Sequence, residues 1–419
     1  MSGRKEGLSE GRSEQENKTG RTKRTGHTDS RDLPGPDIFS FTALVGQYRM
    51  KAALLVNAVD PSIGGVLVRG EKGTGKTTIV RGLKDLLPRI ETMPDCPYHC
   101  DPHDPNSLHD ECRRKIAAGD IESREISVPL VELPLNATEE RVAGTIHLEE
   151  TLRTGKRHFE PGLLAAANRG ILYIDEVNLL EDHLVDLILD SAATGVHRVE
   201  REGFSLLHPA GFILIGTMNP EEGELRPQFL DRFGLCASIR SVQAAEDRKE
   251  IARRRLDFER DPARFIEKWE PAQKMLRRQI VEARRNLENV EIREELWDMV
   301  TDLTSRAGVQ GHRADIVMIK TAAALAALNG RAEVSAEDIR ESARLALPHR
   351  IAGAADATPE SSSEQLDRLI GCNRNGAVED MSSEEGASSE SYDMESMQVP
   401  GSAAAGSIVF DFMKKKSIP

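Results

Sequence analysis

The stretch GEKGTGKT at Gly70–Thr77 fits the pattern G-x-x-x-x-G-K-[ST], a loop built to hold the phosphates of a nucleoside triphosphate. Glycines permit the tight turn whose backbone N–H groups surround phosphate oxygens, Lys76 is the residue type that reaches the outer phosphates, and Thr77 offers a hydroxyl to magnesium. Gly70, Glu71, Lys72, Gly73, Thr74, Gly75, Lys76, Thr77 and Thr78 are therefore expected to contact ATP held with Mg2+. In ILYIDEVNLL, Asp175 and Glu176 follow an apolar run, where acidic residues are costly unless they work. Asp175 suits the magnesium shell, and Glu176 suits orienting and polarising an attacking water. Asn219, after the apolar run GFILIGTM, either contacts the terminal phosphate or water or simply begins a turn before Pro220. Arg232 in LDRF is either an arginine finger acting on a neighbouring subunit's nucleotide or a surface ion-pair partner. Together these residues point to ATP hydrolysis.

The elements that position them are legible as well. GVLVR at 65–69, GILYI at 170–174 and GFILIG at 211–216 are near-continuous apolar runs, as expected of strands covered on both faces. The phosphate loop lies between the first of these and the helical pattern TTIVRGLKDLL. Alternation of such runs with helical patterns over 38–243 implies an α/β domain with a largely parallel sheet. Residues 244–350 lack apolar runs and carry helical patterns, including SAED at Ser335–Asp338, a capping-box sequence, so an all-helical second domain is expected there. Residues 1–37 and 351–419 are too polar to offset the entropy of ordering and read as a disordered leader and an acidic, Ser-rich disordered tail. The closing SIVFDFMKKKSIP is a docking peptide or a frayed end.

A second set of chemistry-bearing residues sits in CPYHCDPHDPNSLHDEC, where Cys96, Cys100 and Cys112 are interleaved with His99, His103 and His109. Zinc, an iron–sulfur cluster, redox-sensitive thiols and incidental cysteines all remain open, since the spacing is not the usual C-x2-C pairing. Five cysteines, with Cys236 and Cys372 completing the number, fit reduced thiols rather than a disulfide framework.

Composition excludes some classes. A formal net charge of -13 argues against broad nucleic-acid binding. No apolar stretch is long enough to span a membrane, and the first residues lack the apolar run of a signal peptide, so a cytoplasmic protein is expected.

With Gly46–Gln47, GEKGTGKT, ILYIDEVNLL, GTMNP and LRPQFLDRFGL in this order, residues 38 to about 350 resemble the AAA+ ATPase motor subunit of magnesium chelatase. The resemblance implies a P-loop AAA+ parallel-sheet core with a C-terminal all-helical lid. It implies that Val45, Gly46 and Gln47 line the adenine pocket, that Asn219 is a sensor, that Arg232 is the arginine finger and that Arg313 is the lid arginine that senses nucleotide state. It assigns Asn136–Ala165 as an insertion projecting from a ring and Gly195–Gly211 as a β-hairpin insertion, which the alternation in HRVEREGFSLL independently permits. Such subunits form rings, usually hexamers. They act with a second AAA-like subunit and a large porphyrin-binding subunit to insert magnesium into protoporphyrin IX, a metal–nitrogen ligase reaction of chlorophyll biosynthesis. A cobalt chelatase motor and a MoxR-like remodelling ATPase share the same ring chemistry and stay open as alternatives.

Overall fold

A computed structural model describes residues 37–371 apart from 72, 120–121, 147–158, 202–203, 224, 240–241 and 352–358. The chain divides into Met1–Asp37 and Ile38–Pro419, and the elements below all belong to the second unit.

In chain order the first strands are β1 (Val66–Gly70), β2 (Ile90–Thr92), β3 (Arg124–Ile126) and β4 (Leu130–Leu133). They are followed by β5 (Gly144–Ile146), β6 (Phe159–Pro161) and β7 (Ile171–Ile174). The last are β8 (Val196–Arg201), β9 (Phe204–Pro209), β10 (Ile213–Met218) and β11 (Leu235–Ile239). Five of them form one sheet in the order β11-β1-β10-β7-β4, and every pairing in it is parallel.

The sheet is apolar on both faces because its side chains alternate. Val66, Val68, Ile171, Tyr173, Ile213 and Ile215 enter one hydrophobic cluster, while Leu67, Leu172, Ile174 and Leu214 enter the other. Each such aliphatic side chain, fully buried, contributes about 1.5–3 kcal/mol. The first cluster continues without a break into Leu276, Ile280, Val300 and Leu325 of the C-terminal helices, so the lid shares the core of one sheet face.

Those helices are Ala245–Arg260, Pro262–Asn286, Glu294–Arg306, Arg313–Leu328 and Ala336–Ala346. Ser335 and Asp338 make the reciprocal capping box expected from SAED. Arginines on the long helix Pro262–Asn286 fix it to the helices Tyr48–Val59 and Lys76–Leu86 beside the sheet: Arg284 Nε donates to Ala58 O at 2.9 Å and Arg277 Nε to Leu86 O at 3.0 Å.

One expectation fails. The disordered tail expected from 351 is interrupted by a helix at Pro359–Gly371. Leu366, Leu369 and Ile370 recur at helical spacing; Leu366 is buried, the other two pack against the first cluster, and Arg344 Nε donates to Asp367 at 3.2 Å. The Ser- and Glu-rich composition around this segment hides a single amphipathic turn pattern. The rest of the expected leader and tail, Lys72, Cys372 and 147–158 within the expected projecting insertion lie outside the described residues. The hairpin expected within Gly195–Gly211 is formed by β8 and β9. Among the described residues no helix is long and apolar enough to cross a membrane.

Candidate active site

The phosphate loop leaves the C-terminal end of β1 and enters the helix Lys76–Leu86. Gly73 and Gly75 have φ of 80° and 82°, a left-handed backbone that side chains resist, and a Cβ at either would meet nothing within 4 Å. Glycine is therefore required there by the path of the chain. Gly75 caps the helix, whose first N–H groups lack intrahelical acceptors and face the loop. Lys76 Nζ donates to Gly70 O at 2.7 Å, which folds the side chain back over the loop.

A cavity of about 610 Å³ opens beside this loop. Its walls come from three places: Val45 and Gln47 before the helix Tyr48–Val59, Gly73 and Gly75 of the loop, and Ile251 and Arg254 of the lid. Its size suits a nucleotide. Gly46, with φ 67°, turns the chain at its rim. Arg254 closes the lid wall by donating to Ala43 O at 2.9 Å and lying 4.7 Å from the centre of the Trp269 ring. Lys51 lies beneath, buried, with Nζ donating to Leu44 O; burial first, and the nearby Arg254 charge second, push its pKa down to about 8.

Asp175 and Glu176 come off the C-terminal end of β7, on the same edge of the parallel sheet as the phosphate loop. A chain of hydroxyls joins the two. Thr77 Oγ1 lies 3.3 Å from Tyr173 OH, Tyr173 OH donates to Asp175 Oδ1 at 3.0 Å, and Thr217 Oγ1 donates to the same oxygen at 2.5 Å. The Tyr173 hydroxyl has its pKa pushed up to about 12, chiefly by burial, so it stays a donor. Thr77 and Asp175 together present hard oxygen ligands of the kind magnesium takes. Glu176 sits at φ 57°, a left-handed conformation costing a non-glycine residue about 1–2 kcal/mol, and its N–H is held by Thr217 Oγ1 at 3.1 Å.

The other expected residues divide. Asn219 is buried at the end of β10, also on this edge, and its Oδ1 accepts from Glu221 N at 3.4 Å, capping the turn Pro220–Glu222. Arg232 is on the opposite edge. It precedes β11, whose far end, Ile239, pairs with Gly70; about 13 Å of strand separates Leu235 from Ile239. There Arg232 NH1 meets Asp190 at 2.7 Å and Asp186 at 3.0 Å. Arg313 begins the lid helix Arg313–Leu328 and is half-buried. The structure thus groups the phosphate loop, Asp175, Glu176 and Asn219, and leaves Arg232 apart from them.

Sequence reasoning missed Tyr173, Thr217 and Arg350. Tyr173 and Thr217 lie inside apolar runs, and a lone hydroxyl there was the available signal. Arg350 is nearly fully buried and donates to Asp231 Oδ1, Asp231 O, Phe233 O, Gly234 O and Ala346 O, which uses its whole guanidinium. Burial lowers its pKa, and its ion pair with Asp231 opposes that effect. Cys96, Cys100 and Cys112 do converge, with His109 but not His99 or His103, in a separate loop.

Comparisons with known proteins give the chain's relatives. A family model described as magnesium chelatase, subunit ChlI, matches residues 144–244, and one described as the AAA lid domain matches 298–369. A magnesium-chelatase subunit ChlI homolog of Methanocaldococcus jannaschii is 48% identical over 333 residues, covering 80% of this chain and 91% of that protein. The magnesium-chelatase subunit ChlI of Nephroselmis olivacea is 52% identical over 315 residues, covering 75% of this chain and 89% of that protein. A solved protein from Cytophaga hutchinsonii, 19% identical, covers 78% of this chain and 91% of its own with a TM-score of 0.52, a likeness of fold alone.

Proposed function

Because this chain belongs to the family of magnesium-chelatase ChlI subunits, we propose that it is an AAA+ motor whose ATP is held by one subunit and completed by Arg232 of the next. The observation that carries this reading is the placement of Arg232 at the edge of the sheet opposite its own phosphate loop. From there Arg232, ion-paired on its own chain with Asp186 and Asp190, would meet only a nucleotide presented by another copy, which in turn calls for a closed ring, with a hexamer as the proposed size.

In this reading Val45, Gly46 and Gln47 line the adenine pocket, and Lys76 with the loop N–H groups, including those of Glu71, Lys72, Thr74 and Thr78, hold the phosphates. Thr77 and Asp175 hold magnesium, which when bound offsets the charge of the phosphate oxygens. Glu176 orients a water and accepts its proton as the new oxygen–phosphorus bond forms and the bond to the bridging oxygen of ADP breaks. Asn219 fixes the same water from β10, the partner's Arg232 stabilises the charge of the transferring phosphoryl group, and Arg313 couples the lid to nucleotide state. Hydrolysis then drives partner subunits, a second AAA-like chain and a large porphyrin-binding chain, to insert magnesium into protoporphyrin IX. The relatives' description as subunits supports partners of this kind. None of the four cysteines among the described residues is in a disulfide, which favours a reducing compartment, and the cytoplasm is the proposed one.

The test is phosphate release by the purified chain with ATP and magnesium, compared with Glu176→Gln. Wild-type turnover, with binding retained but turnover reduced at least about 100-fold in the variant, supports the reading. Equal turnover in the two proteins contradicts it.

A further inference from the structure

The loop between β2 and β3 carries chemistry that the nucleotide site does not use. Its chain turns back so that the sulfurs of Cys96, Cys100 and Cys112 and a ring nitrogen of His109 all lie within 4.8 Å of one another. All three cysteines are buried and none is in a disulfide. The two halves of the set come from different local structures, Cys96-x3-Cys100 from a turn and His109-x2-Cys112 from the start of the helix Asp110–Ala117.

We propose that Cys96, Cys100, His109 and Cys112 form a closed four-ligand zinc site that fastens this loop to the root of the β8–β9 hairpin. A tetrahedral zinc with Zn–S of about 2.3 Å and Zn–N of about 2.0 Å sets sulfur-to-nitrogen edges of about 3.5 Å. His109 Nδ1 lies 3.6 Å from Cys96 Sγ and 3.3 Å from Cys100 Sγ. The backbone N–H of His109 also donates to Cys100 Sγ at 3.3 Å, the outer-shell bond that steadies a coordinating thiolate. An iron–sulfur cube needs its cysteine sulfurs spread over separate corners, wider than this set allows. With three sulfurs and one nitrogen, no coordination position is left for water or substrate, so the site is structural.

Its place in the fold says what it steadies. Asn168 Nδ2 donates to Tyr98 O at 2.6 Å, between the first two cysteines, and its Oδ1 accepts from Gly211 N, just beyond β9, at 2.8 Å. Arg169 NH1 donates to His99 O at 3.1 Å, and NH2 pairs with Asp101 at 2.6 Å. The Tyr98 ring lies 4.6 Å from that of His109 and 5.1 Å from that of His208 in β9. Asn168 and Arg169 precede β7, so this attachment is at the N-terminal end of the strand that delivers Asp175 from its other end. Few apolar residues hold the loop otherwise: its cluster contains Met93, Tyr98, Leu108 and Ala165 besides the cysteines, with the half-buried Ile116 packed against it. Metal binding therefore supplies folding energy that this small cluster lacks.

The experiment is elemental analysis of the purified full-length chain, paired with cobalt substitution. One zinc per chain is expected, together with the thiolate-to-cobalt charge-transfer band and intense d–d bands of a tetrahedral cobalt site. His109→Ala should remove most of the zinc, whereas His103→Ala, altering an exposed histidine outside the set, should retain it. Cys112→Ser should likewise lose the metal; if that variant fails to fold, the wild-type cobalt spectrum decides alone. Absence of stoichiometric zinc, iron with labile sulfide in its place, a cobalt spectrum without thiolate bands, or full zinc retention in His109→Ala would each overturn the site.

Discussion

Arg350, nearly fully buried at the end of the lid, donates its Nε to Asp231 Oδ1 at 3.0 Å, and Asp231 is the residue immediately before Arg232. The same guanidinium spans the backbone carbonyls of Asp231, Phe233 and Gly234, so the lid grips the segment that presents Arg232 from both sides. His349 adds a contact between its Nε2 and Phe233 O at 3.0 Å. The position of Arg232 is thereby tied to that of the lid.

Replacing Arg350 tests that tie. Arg350→Ala leaves several buried carbonyls without donors, and a loss of about 3 kcal/mol is expected. Thermal unfolding reads the stability, and phosphate release under conditions where the variant remains folded reads the function. A variant as stable and as active as the wild type would show the grip to be irrelevant. Arg350→Lys, with a point charge in place of a planar fork, should recover only part of either quantity.

Tyr173→Phe breaks the hydroxyl chain between Thr77 and Asp175 while leaving both ligands in place. A loss of about 1 kcal/mol in magnesium-dependent binding is expected, roughly a fivefold rise in the magnesium concentration needed for half-maximal phosphate release. Magnesium titrations of the two proteins measure it, and superimposable curves would remove Tyr173 from the site.

Lys51 gives stability a particular pH dependence. Its pKa is about 8 in the fold against an ordinary 10.5, so the unfolded chain holds this proton more tightly. The penalty is absent above pH 10.5, grows as pH falls and is fully present below pH 8, where it amounts to about 3 kcal/mol. Lys51→Met escapes it while losing the bond to Leu44 O. The difference in unfolding free energy between wild type and variant should therefore move in favour of the wild type from pH 8 to pH 10, and a difference that stays flat would place Lys51 in a more hydrated setting.

Legibility in the sequence followed burial. β1, β7 and β10 are covered on both faces and read as unbroken apolar runs, whereas β4 ends the sheet and carries Glu132, which pairs with exposed Arg81 at 3.0 Å. β11 escaped notice because LCASI is short and mixed, although all but one of its residues are buried. The placement of the phosphate loop and of Asp175–Glu176 was readable because each directly follows an apolar run that forms a buried strand. Arg350 was not, since all its partners but the Asp231 carboxylate are backbone carbonyls, which leave no mark in the sequence. His109 illustrates the same limit: three histidines lie among the cysteines, and only the turn of the chain selects one.

The proposed sharing of an active site between neighbouring subunits is tested most directly by mixing two variants expected to be inactive alone. Arg232→Ala retains its own phosphate loop and Glu176 but offers no arginine; Glu176→Gln offers the arginine but cannot polarise water. Assembled together at equal amounts, they should regain roughly a quarter of wild-type phosphate release, because random assortment puts an intact Glu176 beside an intact Arg232 at about one interface in four. Mixtures no more active than either variant alone, under conditions where mixed assemblies form, would contradict an arginine supplied by the neighbouring subunit.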